Sequence, residues 1–199
     1  HRTMEDIATR FFDDDWIDAE VRPGKRGGAF SAGTVPSVHP YILLNWTEKL
    51  RDVSTMAHEL GHGIHQYLSR EQTYLNFHHP LTVAETASVF AEFLTFDYVM
   101  ETETDPEVRL GLICSKVEDA FATVFRQNVL TRFEWSAHTA RREAKLSAEQ
   151  ICRFWWEANH ALYGESVEML PQYKWGWSYI PHFIHTPFYC YAYVFGELL

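Results

Sequence analysis

The sequence has little cysteine: Cys114, Cys152 and Cys190 are the only three among 199 residues. Their number is odd and they lie far apart, so a disulfide-stapled scaffold is not expected. No two of them form a CxxC pair, which removes any support for a zinc site built from thiolates. We expect free, buried thiols in a reducing compartment and therefore predict a cytoplasmic protein.

Long apolar runs and an excess of positive charge are also missing. No stretch approaches the roughly 18 apolar residues of a membrane span, and the opening HRTMEDIATRFFDDDW has no apolar segment of the signal-peptide kind. Lysine and arginine total 17 against 27 aspartates and glutamates, which gives a formal charge of −10. Because nucleic acids and anionic membranes are themselves negative, we expect the protein to bind neither.

What the chain does have is a large apolar fraction, 46% of its residues, which suits one globular domain over residues 1–199. Residues 21–46 form the only segment rich in glycine, proline and β-branched residues. We predict strands at Ala29–Ser31 and Tyr41–Asn45 in this segment, as a small antiparallel pair. Helical patterns dominate the remainder. The predicted class is mainly α, with a small antiparallel β element before the helix that carries the motif described below.

Helix-start signals recur along the chain, because serine, threonine and aspartate side chains can accept hydrogen bonds from the free N–H groups of a first helical turn. These signals and the apolar periodicity predict a first helix that ends near Phe12, a second over 53–69 capped by Asp52, and a third over about 83–101 capped by Thr82. A long amphipathic stretch follows over about 106–144. A further helix begins after Ser147, which forms a capping box with Gln150.

The segment MAHELGHGIHQYLS contains the pattern HExxH. His58 and His62 are four residues apart, so a helix places both rings on one face, where they can hold one Zn²⁺ ion. Glu59 lies about 100° around the helix, in position to hold a metal-bound water. Gly61 and Gly63 each cost the helix about 1 kcal/mol relative to alanine, which indicates that other segments approach closely here.

A zinc ion held by two histidines needs at least one further protein ligand in addition to a water. The metzincin pattern would place a histidine six residues after His62, but position 68 is leucine. Glu85 comes 23 residues after His62, far enough to lie on the next helix, and is the preferred third ligand. Its alternative role is to close a capping box with Thr82.

Other polar side chains near the motif are open to two interpretations. Glu92 shares a helical face with Glu85, and it could either fix the tautomer of a ligating histidine or stay solvated. His78 and His79 precede Pro80 in a loop, where we expect them to anchor the loop or face the surface.

Three segments in this order resemble the M3 family of zinc metallopeptidases, in particular its oligoendopeptidase F type. They are HELGHGIHQ, VAETASVFAE and IPHFIHTPFYCYAYVFG. The resemblance implies a mostly helical, zincin-like and intracellular zinc endopeptidase that cuts short peptides at internal bonds. Members of that family are several times longer, so we expect this chain to be the C-terminal catalytic core of a longer protein.

The resemblance also implies roles for individual residues. His58, His62 and Glu85 would bind the zinc ion, and Glu59 would be the general base. The C-terminal segment would supply groups that bind the substrate and stabilise the transition state, namely His182, Tyr189 and Tyr193, with His185 and Tyr191 as competing choices of register.

Two other functions remain open from the sequence. The first is a zinc carboxypeptidase of a related helical family that also combines HExxH with a downstream glutamate. The second is a fragment that binds zinc without turnover. Glu59 argues against the second, because a purely structural zinc site normally fills all four positions with protein ligands.

Overall fold

A computed structural model describes residues 2–199 of the chain. By their internal contacts the residues divide into two compact units, His1–Arg109 and Leu110–Leu199. The single domain over 1–199 stays a prediction, and each unit is described by itself. Within residues 2–199, none of the helices combines the length and the apolar character that crossing a bilayer requires.

The first unit contains three helices and three short strands. In chain order they are α1 Arg2–Asp13, β1 Ile17–Asp18, β2 Phe30–Ala32, β3 Tyr41–Leu43, α2 Leu50–Ser69 and α3 Leu81–Thr102, with a 3₁₀ turn at Tyr74–Asn76 between the last two. The predicted end of the first helix near Phe12 agrees with α1.

The three strands form one small sheet in the order β1-β3-β2. β2 runs antiparallel to β3, with Ser31 opposite Ile42, so the predicted antiparallel pair is confirmed. β1 pairs with β3 in parallel and was not predicted, because two residues are too few to show an alternating pattern. β2 is therefore an edge strand of the sheet. One of its sides pairs with β3, and the other side faces the rest of the unit.

The start of α2 differs from the prediction. Asp52 is not the N-cap, since the helix begins at Leu50 and Lys49 occupies the N-cap. The Asp52 carboxylate nevertheless accepts hydrogen bonds from the backbone N–H groups of Thr47 and Lys49, at 2.6 and 3.1 Å. These bonds hold the pKa of Asp52 below its usual value.

The start of α3 also differs from the prediction. Pro80 is the N-cap with φ −59°, and the helix begins at Leu81. Thr82 is therefore inside the first turn, where it cannot cap the helix. Because the proline ring fixes the backbone in a conformation that suits a helix start, the helix begins earlier than the threonine signal predicts.

Gly61 and Gly63 place α2 against its neighbours. A Cβ atom on Gly61 would lie 2.5 Å from the Ala87 carbonyl oxygen and 2.7 Å from the Ser88 Cα atom, both on α3. A Cβ on Gly63 would lie 2.6 Å from the Phe11 ring on α1. The expected close approach is confirmed on both sides of α2, and the two glycines allow the helix to be buried.

The second part of the chain is almost entirely helical. Its elements are α4 Pro106–Phe121, a π-helical turn Ala122–Arg126, α5 Gln127–Glu143, α6 Ala148–Tyr163, a 3₁₀ segment Pro171–Tyr179, α7 His182–His185 and α8 Tyr191–Glu197. Ser147 caps α6 and forms the predicted capping box with Gln150.

Glu134 of α5 is a buried carboxylate in the second unit, with 2% of its surface exposed. It accepts a 2.7 Å hydrogen bond from the backbone N–H of Phe188. Phe188 has a φ of +60°, a left-handed conformation that a bulky residue rarely adopts. The buried carboxylate therefore stabilises the turn that leads into Tyr189.

We predict that Gly61→Ala destabilises the protein by about 1–3 kcal/mol, because the added methyl group overlaps the α3 backbone. The gain of about 1 kcal/mol in helix propensity does not compensate for this overlap. Urea denaturation measures the change in the free energy of unfolding. Gly111→Ala is the matched control, since its Cβ would meet nothing within 4 Å in α4 and should stabilise. Equal stability of Gly61→Ala and the unmodified protein would contradict this packing.

Candidate metal centre

Two neighbouring helices supply the candidate ligands. His58 and His62 lie one turn apart on α2, and Glu85 lies on α3. The carboxylate of Glu85 is almost completely buried, with 1% of its residue surface exposed. Because α2 and α3 touch at Gly61, in the turn between the two histidines, Glu85 is brought up to both rings.

The three side chains converge on one point. His58 Nε2 lies 3.6 Å from Glu85 Oε2, and His62 Nε2 lies 3.7 Å from the same oxygen. Ligand atoms from all three residues lie within 4.8 Å of one another. Two ligands about 2.1 Å from a tetrahedral zinc ion are about 3.4 Å apart. The spacing therefore fits a metal ion bound between the side chains, and it is too long for direct hydrogen bonds.

Glu92 fixes the orientation of His58. Its Oε1 atom lies 2.6 Å from His58 Nδ1. A carboxylate can only accept, so Nδ1 carries the proton and Nε2 faces Glu85. Burial acts to lower the pKa of His58, but the Glu92 hydrogen bond and the nearby carboxylate charges outweigh it and raise the pKa. Of the two interpretations of Glu92, the contact supports the histidine partner.

His62 is held in the neutral form that binds metals. Burial, followed by the charges of His58 and His79, lowers its pKa to about 3. Its ring also donates a hydrogen bond to the backbone carbonyl of Ala84, next to Glu85. Each histidine thus has one nitrogen engaged by α3 and the other near Glu85.

Glu59 lies beside this group and is 6% exposed. Burial is the main cause that raises the pKa of Glu59 to about 7, and the negative charge of Glu85 adds to it. The His58 charge and a hydrogen bond from the backbone N–H of Ser31 act in the opposite direction. A carboxylate with a pKa near 7 is suited to exchange protons at neutral pH.

Two contacts around the site were missed by the sequence analysis. The Gln66 side chain bonds Ser31 on β2, although nothing in the local pattern distinguishes this glutamine from a surface residue. His79 stacks on His65 with ring centroids 3.9 Å apart. Each of these two rings has a buried Nδ1 atom without a hydrogen-bond partner among residues 2–199.

The second unit brings together the other three predicted residues. The ring centroids of His182 and Tyr189 are 5.4 Å apart, and those of Tyr189 and Tyr193 are 5.3 Å apart. His182 and Tyr193 also meet, at 6.2 Å. The competing residues His185 and Tyr191 are exposed to solvent. The structure thus groups His182, Tyr189 and Tyr193 into one cluster, and their catalytic roles stay a prediction.

The sequence is similar to those of known proteins over almost its whole length. The profile of Peptidase family M3 matches residues 3–196. The chain belongs to peptidase family M3. This membership confirms the resemblance and implies a metal cofactor, which the His58, His62 and Glu85 group could hold.

Several relatives of this M3 chain are curated oligopeptidases. It is 35% identical over 187 residues to "Oligoendopeptidase F, chromosomal" of Lactococcus lactis subsp. cremoris, which covers 93% of this chain and 31% of the relative. It is 33% identical over 183 residues to "Oligopeptidase PepF" of Bacillus subtilis (strain 168), which covers 91% and 27%. The chain thus spans about a third of the length of these relatives.

The fold is also found in a solved structure. PZ peptidase A, determined with an inhibitor, superimposes with a TM-score of 0.84 at 17% identity, over 100% of this chain and 35% of that one. At this identity the likeness shows the fold alone. It confirms the predicted class, a mainly α metallopeptidase fold with a small β element.

We predict that Glu85→Ala reduces zinc affinity more than Glu92→Ala does. The first substitution removes a ligand, whereas the second frees the His58 ring and should cost about 10–100-fold. Competition with a chromophoric chelator measures both affinities. Glu101→Ala, an exposed glutamate on the same helix, is the control and should bind zinc normally. Normal zinc affinity in Glu85→Ala would exclude Glu85 as a ligand.

The His65–His79 stack predicts a loss of stability in mild acid. Burial, followed by the charges of His65 and His78, lowers the pKa of His79 from 6.5 to about 4. Between these values the unfolded chain binds a proton that the folded chain does not. The free energy of unfolding therefore falls as the pH drops through this window.

His79→Phe tests this prediction because it keeps a ring against His65 and removes the titration. We expect the variant to lose less stability than the unmodified protein on going from about pH 7 to about pH 5. Urea denaturation at each pH gives the two slopes, and measurements at about pH 8, where His79 is neutral, provide the baseline. Identical pH dependence in both proteins would show that His79 does not titrate abnormally.

Proposed function

We propose that the chain is the catalytic region of a zinc endopeptidase that cuts short peptides at internal bonds. The observation that carries the proposal is the convergence of His58, His62 and Glu85, with the buried carboxylate of Glu59 beside them. Oligopeptide substrates follow from the names of the relatives. A hydrolase is favoured over a purely structural site, because three protein ligands leave one position open for water.

Zinc is the metal that this donor set suits best. Two neutral imidazoles and one carboxylate form a ligand set used by catalytic zinc sites of peptidases. Zinc bound by His58, His62 and Glu85 would act as a Lewis acid and lower the pKa of a water molecule from 15.7 to about 7. The hydrogen bonds that the two rings make, from His58 to Glu92 and from His62 to the Ala84 carbonyl, keep both rings oriented for this ion.

Glu59 is proposed as the general base. Its carboxylate takes a proton from the attacking water and passes this proton to the nitrogen of the leaving amine. In the metal-free site, burial raises the pKa of Glu59 above its usual value, which makes the carboxylate a stronger proton acceptor. The Ser31 N–H holds one side of the carboxylate and limits its rotation.

The cluster of His182, Tyr189 and Tyr193 is proposed to bind the substrate and the transition state. When the scissile carbonyl is attacked, its oxygen becomes negative, and a hydroxyl or imidazole N–H can donate to it. Losing one such donor commonly costs about 2.7–4 kcal/mol of transition-state stabilisation. The mutual ring contacts of the three residues support a shared role.

We predict that Glu59→Gln loses on the order of 10²–10⁴-fold in kcat and still binds zinc, because glutamine fills the same space but cannot take a proton. A quenched-fluorescent peptide gives the rate, and metal analysis gives the zinc content. Glu71→Gln, an exposed glutamate just beyond α2, is the matched control and should keep full activity. Undiminished turnover in Glu59→Gln would remove Glu59 from the mechanism.

The same assay separates an endopeptidase from a carboxypeptidase. A peptide with an amidated C-terminus lacks the free carboxylate that a carboxypeptidase needs. We expect the amidated and the free peptide to be cut at the same internal bond and at similar rates. Release of single C-terminal residues from the free peptide alone would instead support the carboxypeptidase.

A further inference from the structure

We propose that Gln66 is a positioning residue for the reaction, which sets the place of Glu59 through Ser31. The side-chain amide of Gln66 makes two contacts with one residue of β2. Ser31 Oγ donates to Gln66 Oε1 at 2.8 Å, and Gln66 Nε2 donates to the Ser31 backbone carbonyl at 3.3 Å. Both ends of the amide are thus used on the same partner, which restrains Ser31 against α2 in position and in orientation.

The restrained residue is the one that contacts the general base. The backbone N–H of Ser31 donates to the Glu59 carboxylate. Glu59 and Gln66 are seven residues apart, about two turns, so they lie on the same face of α2. Ser31 therefore bridges two points on one helix: its N–H reaches Glu59, and its carbonyl and hydroxyl reach Gln66.

The position of β2 explains why this restraint is needed. β2 is an outer strand of only three residues, paired on one side with β3. Strands at the edge of a sheet lack a second neighbour, and a short one has few ladder bonds to keep its register. Gln66 provides the missing contact on the outer side, at the residue whose N–H must meet Glu59.

The expected effect is on the chemical step, and this inference rests on the proposed function. If the strand shifts, the Glu59 carboxylate loses one partner and can rotate away from the position where it accepts a proton. A displacement of about 1 Å can cost about 100-fold in rate without loss of substrate binding. Gln66 acts through Ser31 and Glu59, since the hydrogen bonds resolved for its side chain go to Ser31 and not to His58, His62 or Glu85.

The test compares Gln66→Met, which keeps the length of the side chain and loses both hydrogen bonds, with Gln66→Glu, which keeps only an acceptor for the Ser31 hydroxyl. Arg70→Met is the matched control. It removes a hydrogen bond from the end of α2 to the loop after β2, Arg70 Nε to the Pro36 carbonyl at 3.0 Å, without contacting Ser31. Zinc content, thermal midpoint, kcat and KM are measured for each variant of the 199-residue chain.

A spectroscopic measurement complements the rates. An amide that donates to a carboxylate resonates downfield, so the Ser31 amide proton reports the bond to Glu59 in the metal-free protein. We expect Gln66→Met to shift this resonance upfield and to lower kcat by about 10–100-fold, with zinc content and KM nearly unchanged. Gln66→Glu should recover part of kcat, and Arg70→Met should leave both the resonance and kcat unchanged.

The outcomes separate this inference from the proposed function. An inactive unmodified protein, or full activity in Glu59→Gln, overturns the proposed function and the positioning role with it. An active protein that loses turnover in Glu59→Gln but keeps kcat and the Ser31 resonance in Gln66→Met overturns only the role of Gln66. A loss confined to KM, or an equal loss in Arg70→Met, also overturns it, because Gln66 would then support the strand or the fold in general.

Discussion

The close approach of α2 and α3 at Gly61 is the constraint on which the candidate centre depends. Only a glycine permits this distance, because a Cβ atom at position 61 would overlap the backbone of Ala87 and Ser88. The contact occurs between the turns that carry His58 and His62. It therefore brings Glu85 within 4 Å of both rings. A slightly larger separation of the helices would leave the two histidines without a third partner. Glycine has a low helix propensity, but no other residue at position 61 would allow this contact.

Around this contact, hydrogen bonds hold the polar side chains of the site in fixed orientations. Glu92 accepts a hydrogen bond from one nitrogen of His58, and the Ala84 carbonyl accepts one from a nitrogen of His62. Ser31, which lies on a strand and not on a helix, donates its backbone N–H to Glu59. Burial alone would make such a cluster of ionisable groups costly. The hydrogen bonds compensate for part of that cost and fix the orientation that metal binding needs.

The sequence predicts those features that depend on one segment or on a regular period. Spacing on one helix places His58 and His62, and the two glycines indicate a close neighbour. Prediction from the sequence fails where contacts between segments determine the structure. Asp52 and Thr82 were predicted as helix caps, but Lys49 and Pro80 occupy the N-cap positions. Ser31 and Gln66 meet across 35 residues through a backbone group and an ordinary amide, neither of which has a signature in sequence. The capping box of α6 was predictable because all its parts lie within four residues.

Anomalous scattering from a crystal of the protein, recorded on both sides of the zinc absorption edge, would locate the bound ion and identify it. Binding of zinc by the three residues predicts one strong peak that appears only above this edge, about 2.0–2.2 Å from a nitrogen of His58, a nitrogen of His62 and a carboxylate oxygen of Glu85. A peak elsewhere, or a zinc ion bound to both histidines while Glu85 points away from it, would show that these three residues do not form the metal site.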